Sequence, residues 1–89
     1  MKILEFGTAH CGICKNLAKI INSIEGVNKG DNAIPFESID IEEHEEYIKK
    51  YNLKRVPTTI IFDDAGRAII TLIGFYTKVQ LEDVIKKLK

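Results

Sequence analysis

The sequence predicts an α/β domain with elements in the order β-α-β-α-β-β-α, and three observations carry that prediction. Short apolar runs at residues 2–6, 36–39, 58–62 and 67–73 are bounded by turn residues. Three other stretches carry apolar residues at helical spacing of three and four. The two kinds of segment alternate until two strands follow one another around Asp63-Asp64-Ala65-Gly66, a hairpin turn. At 89 residues the chain is expected to form one domain over 1–89, with room for a modest core and none for a second domain.

Residues 2–6 are apolar apart from Lys2 and Glu5, as in a central strand covered on both faces, which makes Glu5 the anomaly. After Gly7-Thr8-Ala9-His10, the positions Ile13, Leu17, Ile20, Ile21 and Ile24 form an apolar stripe, with Gly26 as C-terminal cap. Residues 27–35 read as a long loop, and 36–39 as a short strand. Asp40 with Glu43 three residues on predicts a helix start; acids crowd its first turns, and Lys49 and Lys50 close it in accord with the macrodipole. Tyr47 and Tyr51, one turn apart, are assigned to core packing, and His44, amid the acids, to a structural or exposed position. Thr58 to Phe62 is β-branched and apolar, as a buried strand should be. Gly74 breaks the return strand. Thr77 with Gln80 predicts a capping box for a last helix whose stripe is Val79, Leu81, Val84, Ile85 and Leu88.

Composition narrows the function classes. Thirteen basic and thirteen acidic residues balance, which argues against nucleic acid or an anionic membrane surface as partner. No run is long enough to span a membrane, and residues 1–6 reach the cysteines too soon to hold a secretory segment, so a cytoplasmic, reducing location is expected. In that setting two cysteines at this spacing point to catalysis or metal binding.

Both cysteines fall in His10-Cys11-Gly12-Ile13-Cys14-Lys15, between the first apolar run and the first helical stripe. A thiolate is the nucleophile in disulfide exchange, and the first turn of a helix offers unpaired N–H groups and the positive dipole end that favour it. Cys11 is therefore read as the attacking sulfur, and Cys14, one turn on, as the thiol that resolves the mixed disulfide. A pair of small buried side chains is the bland alternative. A zinc site needs four ligands, and only His10 and His44 remain to help; a metal or cluster shared between two chains stays open. No cofactor is expected beyond the Cys11–Cys14 disulfide.

The Cys-X-X-Cys that opens the first helix, and the Val56-Pro57-Thr58 that opens the third strand, resemble the thioredoxin superfamily over essentially the whole chain. The resemblance implies a four-stranded mixed sheet flanked by three helices. Cys-Gly-Ile-Cys-Lys is similar to the thioredoxin Cys-Gly-Pro-Cys-Lys, while the length is nearer to a glutaredoxin. It also implies a cis Val56-Pro57 bond facing the dithiol, which leaves the Val56 backbone free to pair with an extended substrate. Glu5 lies six residues before Cys11, where thioredoxins carry a buried aspartate; the resemblance implies a buried carboxyl that could take the Cys14 proton, directly or through water, and the alternative is an ordinary solvated strand glutamate. His10 stands where most thioredoxins have tryptophan; an imidazolium there would favour the Cys11 thiolate, and the alternative is a solvent-exposed loop histidine with little effect. Ile13, Val56, Pro57 and Gly74, with Phe75, are expected to form an apolar rim around Cys11, His10 and Gly12 are expected to join them in binding substrate, and glycine at 74 would let a partner backbone come close.

These readings imply a monomeric enzyme that reduces protein disulfides and is recharged by a thioredoxin-reductase-like protein or by glutathione. A glutathione-dependent, glutaredoxin-like enzyme is the second reading, favoured by the length and the basic Lys54-Arg55. It lacks the Thr-Val-Pro and paired glycine of that family. A non-catalytic binding module is the third.

Overall fold

The computed structural model describes residues 1–89. Its elements are β1 (Lys2–Gly7), α1 (Gly12–Ser23), β2 (Phe36–Asp40), α2 (Glu46–Lys50), β3 (Thr58–Phe62), β4 (Ala68–Ile73) and α3 (Lys78–Leu88). The strands form one mixed sheet in the order β2-β1-β3-β4. β1 runs parallel to β2 and antiparallel to β3, and β3 pairs antiparallel with β4. β1 and β3 are thus the two inner strands, and all five residues of β3 are buried.

Alternation along the strands divides the core into two layers. On one face Ile3, Ile61 and Leu72 pack with Leu17, Ile21 and Ile24 at the α1 side and Leu81 and Ile85 of α3. On the other, Leu4, Phe6, Ile60 and Phe62 pack with Ile39 and Leu53. Tyr47 and Tyr51 of the α2 segment complete this second layer, with ring centroids 5.5 Å from Phe6, and Tyr51 also lies 5.6 Å from Phe62. These are tilted and edge contacts of the kind aromatic quadrupoles favour.

The last helix begins as its sequence predicts: Thr77 Oγ1 accepts from the Gln80 N–H and the Gln80 side chain accepts from the Thr77 N–H. Two helix boundaries differ from expectation. α1 ends at Ser23 with Ile24 as its C-cap, whose N–H returns to the Ile21 carbonyl, and Gly26, at φ +89°, turns the chain two residues after that cap instead of capping the helix. α2 starts at Glu46, not after Asp40. Asp40 does gather the Glu43 and His44 N–H groups on its carbonyl, and its carboxylate takes the Glu42 N–H at 2.9 Å. That first turn fails to propagate because residues 42–46 hold four carboxylates and a histidine, with nothing apolar to bury, and packing is what sustains so short a helix. Asp40 is the end of β2, still paired with Gly7, and it makes a turn there.

Candidate active site

The site lies where β1 ends and α1 begins. Cys11 is the N-cap of α1, in extended conformation, and its sulfur accepts the Cys14 N–H at 3.1 Å. One of the helix's orphan donors is therefore aimed at Cys11 Sγ, as a thiolate there would require. The two cysteines are joined as a disulfide with Cα atoms 5.2 Å apart. They differ in access: Cys11 is half-buried, whereas Cys14 is 4% exposed. Cys11 is the more accessible sulfur of the pair.

Cys14 is held down by close approach to Gly7, at the end of β1. A Cβ built on Gly7 would stand 2.8 Å from Cys14 Cβ and 3.0 Å from its sulfur. Any side chain at 7 must displace the helix start or the strand, so this glycine sets the height of the dithiol over the sheet. In the sequence Gly7 is distinguished from a loop glycine only by ending a largely apolar strand, four residues before Cys11. Gly7→Ala is expected to destabilise the oxidised protein by about 1–3 kcal/mol, the usual range for overpacking. Urea denaturation checks this, and an unchanged midpoint would show that the contact is easily relieved.

Glu5 is two residues before Gly7, on the same face of β1. It is 2% exposed. Its neighbours across the sheet are Ser38 on β2 and Thr59 on β3. The Ser38 hydroxyl donates to Glu5 Oε1 at 3.0 Å, while Glu5 Oε2 and Thr59 Oγ1 are buried without a partner. Burial pushes the Glu5 carboxyl up to about 7, and the Ser38 hydrogen bond opposes that rise. Glu5 and Cys14 line one cleft of about 200 Å³ between α1, β1 and β2, with Lys15, Ser38 and Asp40 also on its walls.

The Val56-Pro57 bond is cis. Continuing the β1–β3 register by one residue sets Pro57 opposite Gly7, on which Cys14 packs. The Val56 N–H and C=O take no part in the backbone hydrogen bonds of the chain. Thr58 Oγ1 donates to the Arg55 carbonyl at 2.6 Å and ties down this loop from behind. Gly74 donates its N–H to the Pro57 carbonyl at 2.9 Å and sits at φ +93°, a conformation that accounts for glycine there, with open space where a Cβ would be. Ile13, Ile73 and Phe75 are at least half exposed, and Gly12 and His10 are exposed beside Cys11. Lys54 and Arg55 line a hollow with Thr8, Ile41, Ile48, Leu53 and Val56. The largest hollow, about 380 Å³ around Lys2, Leu4, Tyr51 and Phe62, is at the opposite end of β1 from the dithiol.

No group of three or more His, Cys, Asp or Glu side chains is placed to hold a metal ion, and no helix is long and apolar enough to cross a membrane. The redox couple is carried by the chain's own residues.

Residues 1–87 match the family model described as "Thioredoxin". The thioredoxin of Staphylococcus epidermidis strain RP62A is 30% identical over 87 residues, which are 98% of this chain and 81% of that protein. The thioredoxin of Bacillus subtilis strain 168 is 28% identical over 85 residues, 96% of this chain and 79% of that protein. The structure of thioredoxin 1 from Thermosipho africanus TCF52B superposes with a TM-score of 0.81 at 26% identity, covering 99% of this chain and 93% of that one. Family and relatives alike are of thioredoxin type, so the glutaredoxin-like reading gains nothing from them. With a Cys-X-X-Cys pair at the start of α1 and a matching fold around it, the chain belongs to the thioredoxin family and is a protein-disulfide oxidoreductase.

Proposed function

We propose that this chain reduces protein disulfides, with Cys11 as nucleophile and Cys14 as resolving thiol. The observation that carries this assignment is the asymmetry of the pair: Cys11 is accessible and accepts a helix N-terminal N–H, while Cys14 is buried over Gly7 and shares a cleft with Glu5. In the first half-reaction the Cys11 thiolate attacks a substrate disulfide, a mixed disulfide forms, and one substrate sulfur leaves as thiolate. In the second, Cys14 gives its proton to the Glu5 carboxylate and attacks Cys11 Sγ. The Cys11–Cys14 bond forms, the second substrate sulfur leaves, and two electrons have passed to the substrate. Burial, which raises the Glu5 carboxyl to about 7, makes it a base matched to this transfer near neutral pH.

The free Val56 backbone beside Pro57 pairs with an extended substrate segment, and Gly12, Ile13, Gly74 and Phe75 provide its apolar seat. His10, exposed before Cys11, faces the incoming partner. The chain acts as a monomeric single domain over 1–89 in the cytoplasm, without cofactor, and a thioredoxin-reductase-like protein restores the dithiol. The thioredoxin family match favours that donor over glutathione.

The reduction potential of the Cys11–Cys14 couple tests the direction of the reaction. A value at or below about −250 mV in a glutathione redox buffer is expected for a reductase. A value near about −200 mV would instead assign glutathione-coupled or isomerase work.

A further inference from the structure

Ser38 belongs to neither the Cys-X-X-Cys nor the Val-Pro-Thr motif, and nothing in its own strand marks it: β2 is short, and Glu37 and Ser38 are both at its surface. The parallel pairing of β1 with β2 nevertheless sets Ser38 directly beside Glu5. Its hydroxyl donates to one carboxyl oxygen, Oε1, and is the one side-chain partner of that otherwise buried group. The other oxygen, Oε2, is buried and unpartnered, and the carboxyl shares its cleft with Cys14. A glutamate has one more rotatable bond than an aspartate, so a carboxyl on this longer arm needs an anchor if one oxygen is to stay presented to a sulfur.

We propose that Ser38 is a positioning residue for the second half-reaction: its hydroxyl pins Oε1 of Glu5 and leaves Oε2 as the oxygen that accepts the Cys14 proton. This rests on the assignment of Glu5 as that acceptor. The proton passes from Cys14 Sγ to Oε2, the Cys14 sulfur bonds to Cys11 Sγ, and the substrate sulfur departs with the electron pair of the broken bond. A hydroxyl donor also favours the charged form of the carboxyl it binds, so Ser38 sets the pH at which the base becomes available. The groups that share the cleft with Glu5 are Cys14 and Lys15 of α1 and Asp40 at the end of β2; β3 brings the uncharged Thr59.

The test follows decay of a preformed Cys11 mixed disulfide against pH in the wild type, Ser38→Ala, Ser38→Thr and Glu5→Gln, beside direct NMR titration of the Glu5 carboxyl carbon in the oxidised proteins. In Ser38→Ala both the rate midpoint and the carboxyl titration are expected to move up by about one pH unit, with decay slowed about tenfold below the midpoint. Ser38→Thr, which restores a hydroxyl at a strand position that suits threonine, should bring both back. If Glu5→Gln abolishes the pH-dependent limb while Ser38→Ala superimposes on the wild type, the role of Ser38 is overturned and that of Glu5 stands. The role of Ser38 is equally overturned if the alanine variant moves the carboxyl titration and leaves the rate profile in place. If Glu5→Gln keeps the wild-type limb, the carboxylate is not the acceptor and both assignments fall.

Discussion

Raising the pH from about 4 to about 8 is expected to cost the folded, oxidised protein about 3 kcal/mol through Glu5 alone. Its carboxyl moves from 4.5 to about 7 on burial, so between those values the native state holds a proton that the unfolded chain has released. Stability therefore falls as pH rises through this window. The contribution is fully present below the unfolded value and lost above the folded one. The cause is desolvation of a side chain only 2% exposed, with one hydrogen bond from Ser38 and no partner for Oε2. Glu5→Gln removes the titration, so the difference in urea midpoints between variant and wild type should change with pH, in the direction that favours the variant more at pH 8 than at pH 4. A constant difference across that range would mean that Glu5 ionises with its ordinary affinity. The same burial that weakens the fold at neutral pH makes the carboxylate basic enough to take a thiol proton.

Where each residue's own neighbours in sequence decided its conformation, the chain was legible. Thr58–Phe62, apolar and β-branched, is a strand over those same residues, and Thr77 with Gln80 makes the capping box their spacing predicts. Cys11 and Cys14 lie at the helix start that the strand before them and the stripe after them imply. Legibility ended where tertiary contacts decide. Asp40 and Glu43 carry a local helix-start signature, yet the acidic run after them has no apolar side chain to dock, and the helix waits for Tyr47 and Tyr51, which pack on Phe6. Gly7 resembles any loop glycine until α1 lies across it and Cys14 fills the space of its missing Cβ. Ser38 looks like the polar position of a half-exposed strand, and only the β1–β2 register joins it to Glu5, thirty-three residues away. Glu5 itself was visible as an acid in an apolar run, because a charge in a central strand has to be accounted for.

Replacing the cysteines one at a time is expected to give two different failures. Cys11→Ser removes the accessible sulfur at the helix N-terminus and should lower disulfide reduction by at least about a thousandfold, since Cys14 is 4% exposed and has no path to a folded substrate. Cys14→Ser keeps the attacking thiolate but removes the sulfur that releases the product. It should react once and stop, with substrate attached through Cys11. The Cys14 N–H that points at Cys11 Sγ is a backbone group and survives both changes, so the first step in Cys14→Ser should proceed near the wild-type rate. The most direct measurement is the intact mass of each variant after mixing with a disulfide-containing protein under non-reducing conditions. A stoichiometric adduct on Cys14→Ser and none on Cys11→Ser is the predicted result. Adduct on Cys11→Ser, or equal adduct on both, would contradict the division of labour between the accessible and the buried sulfur.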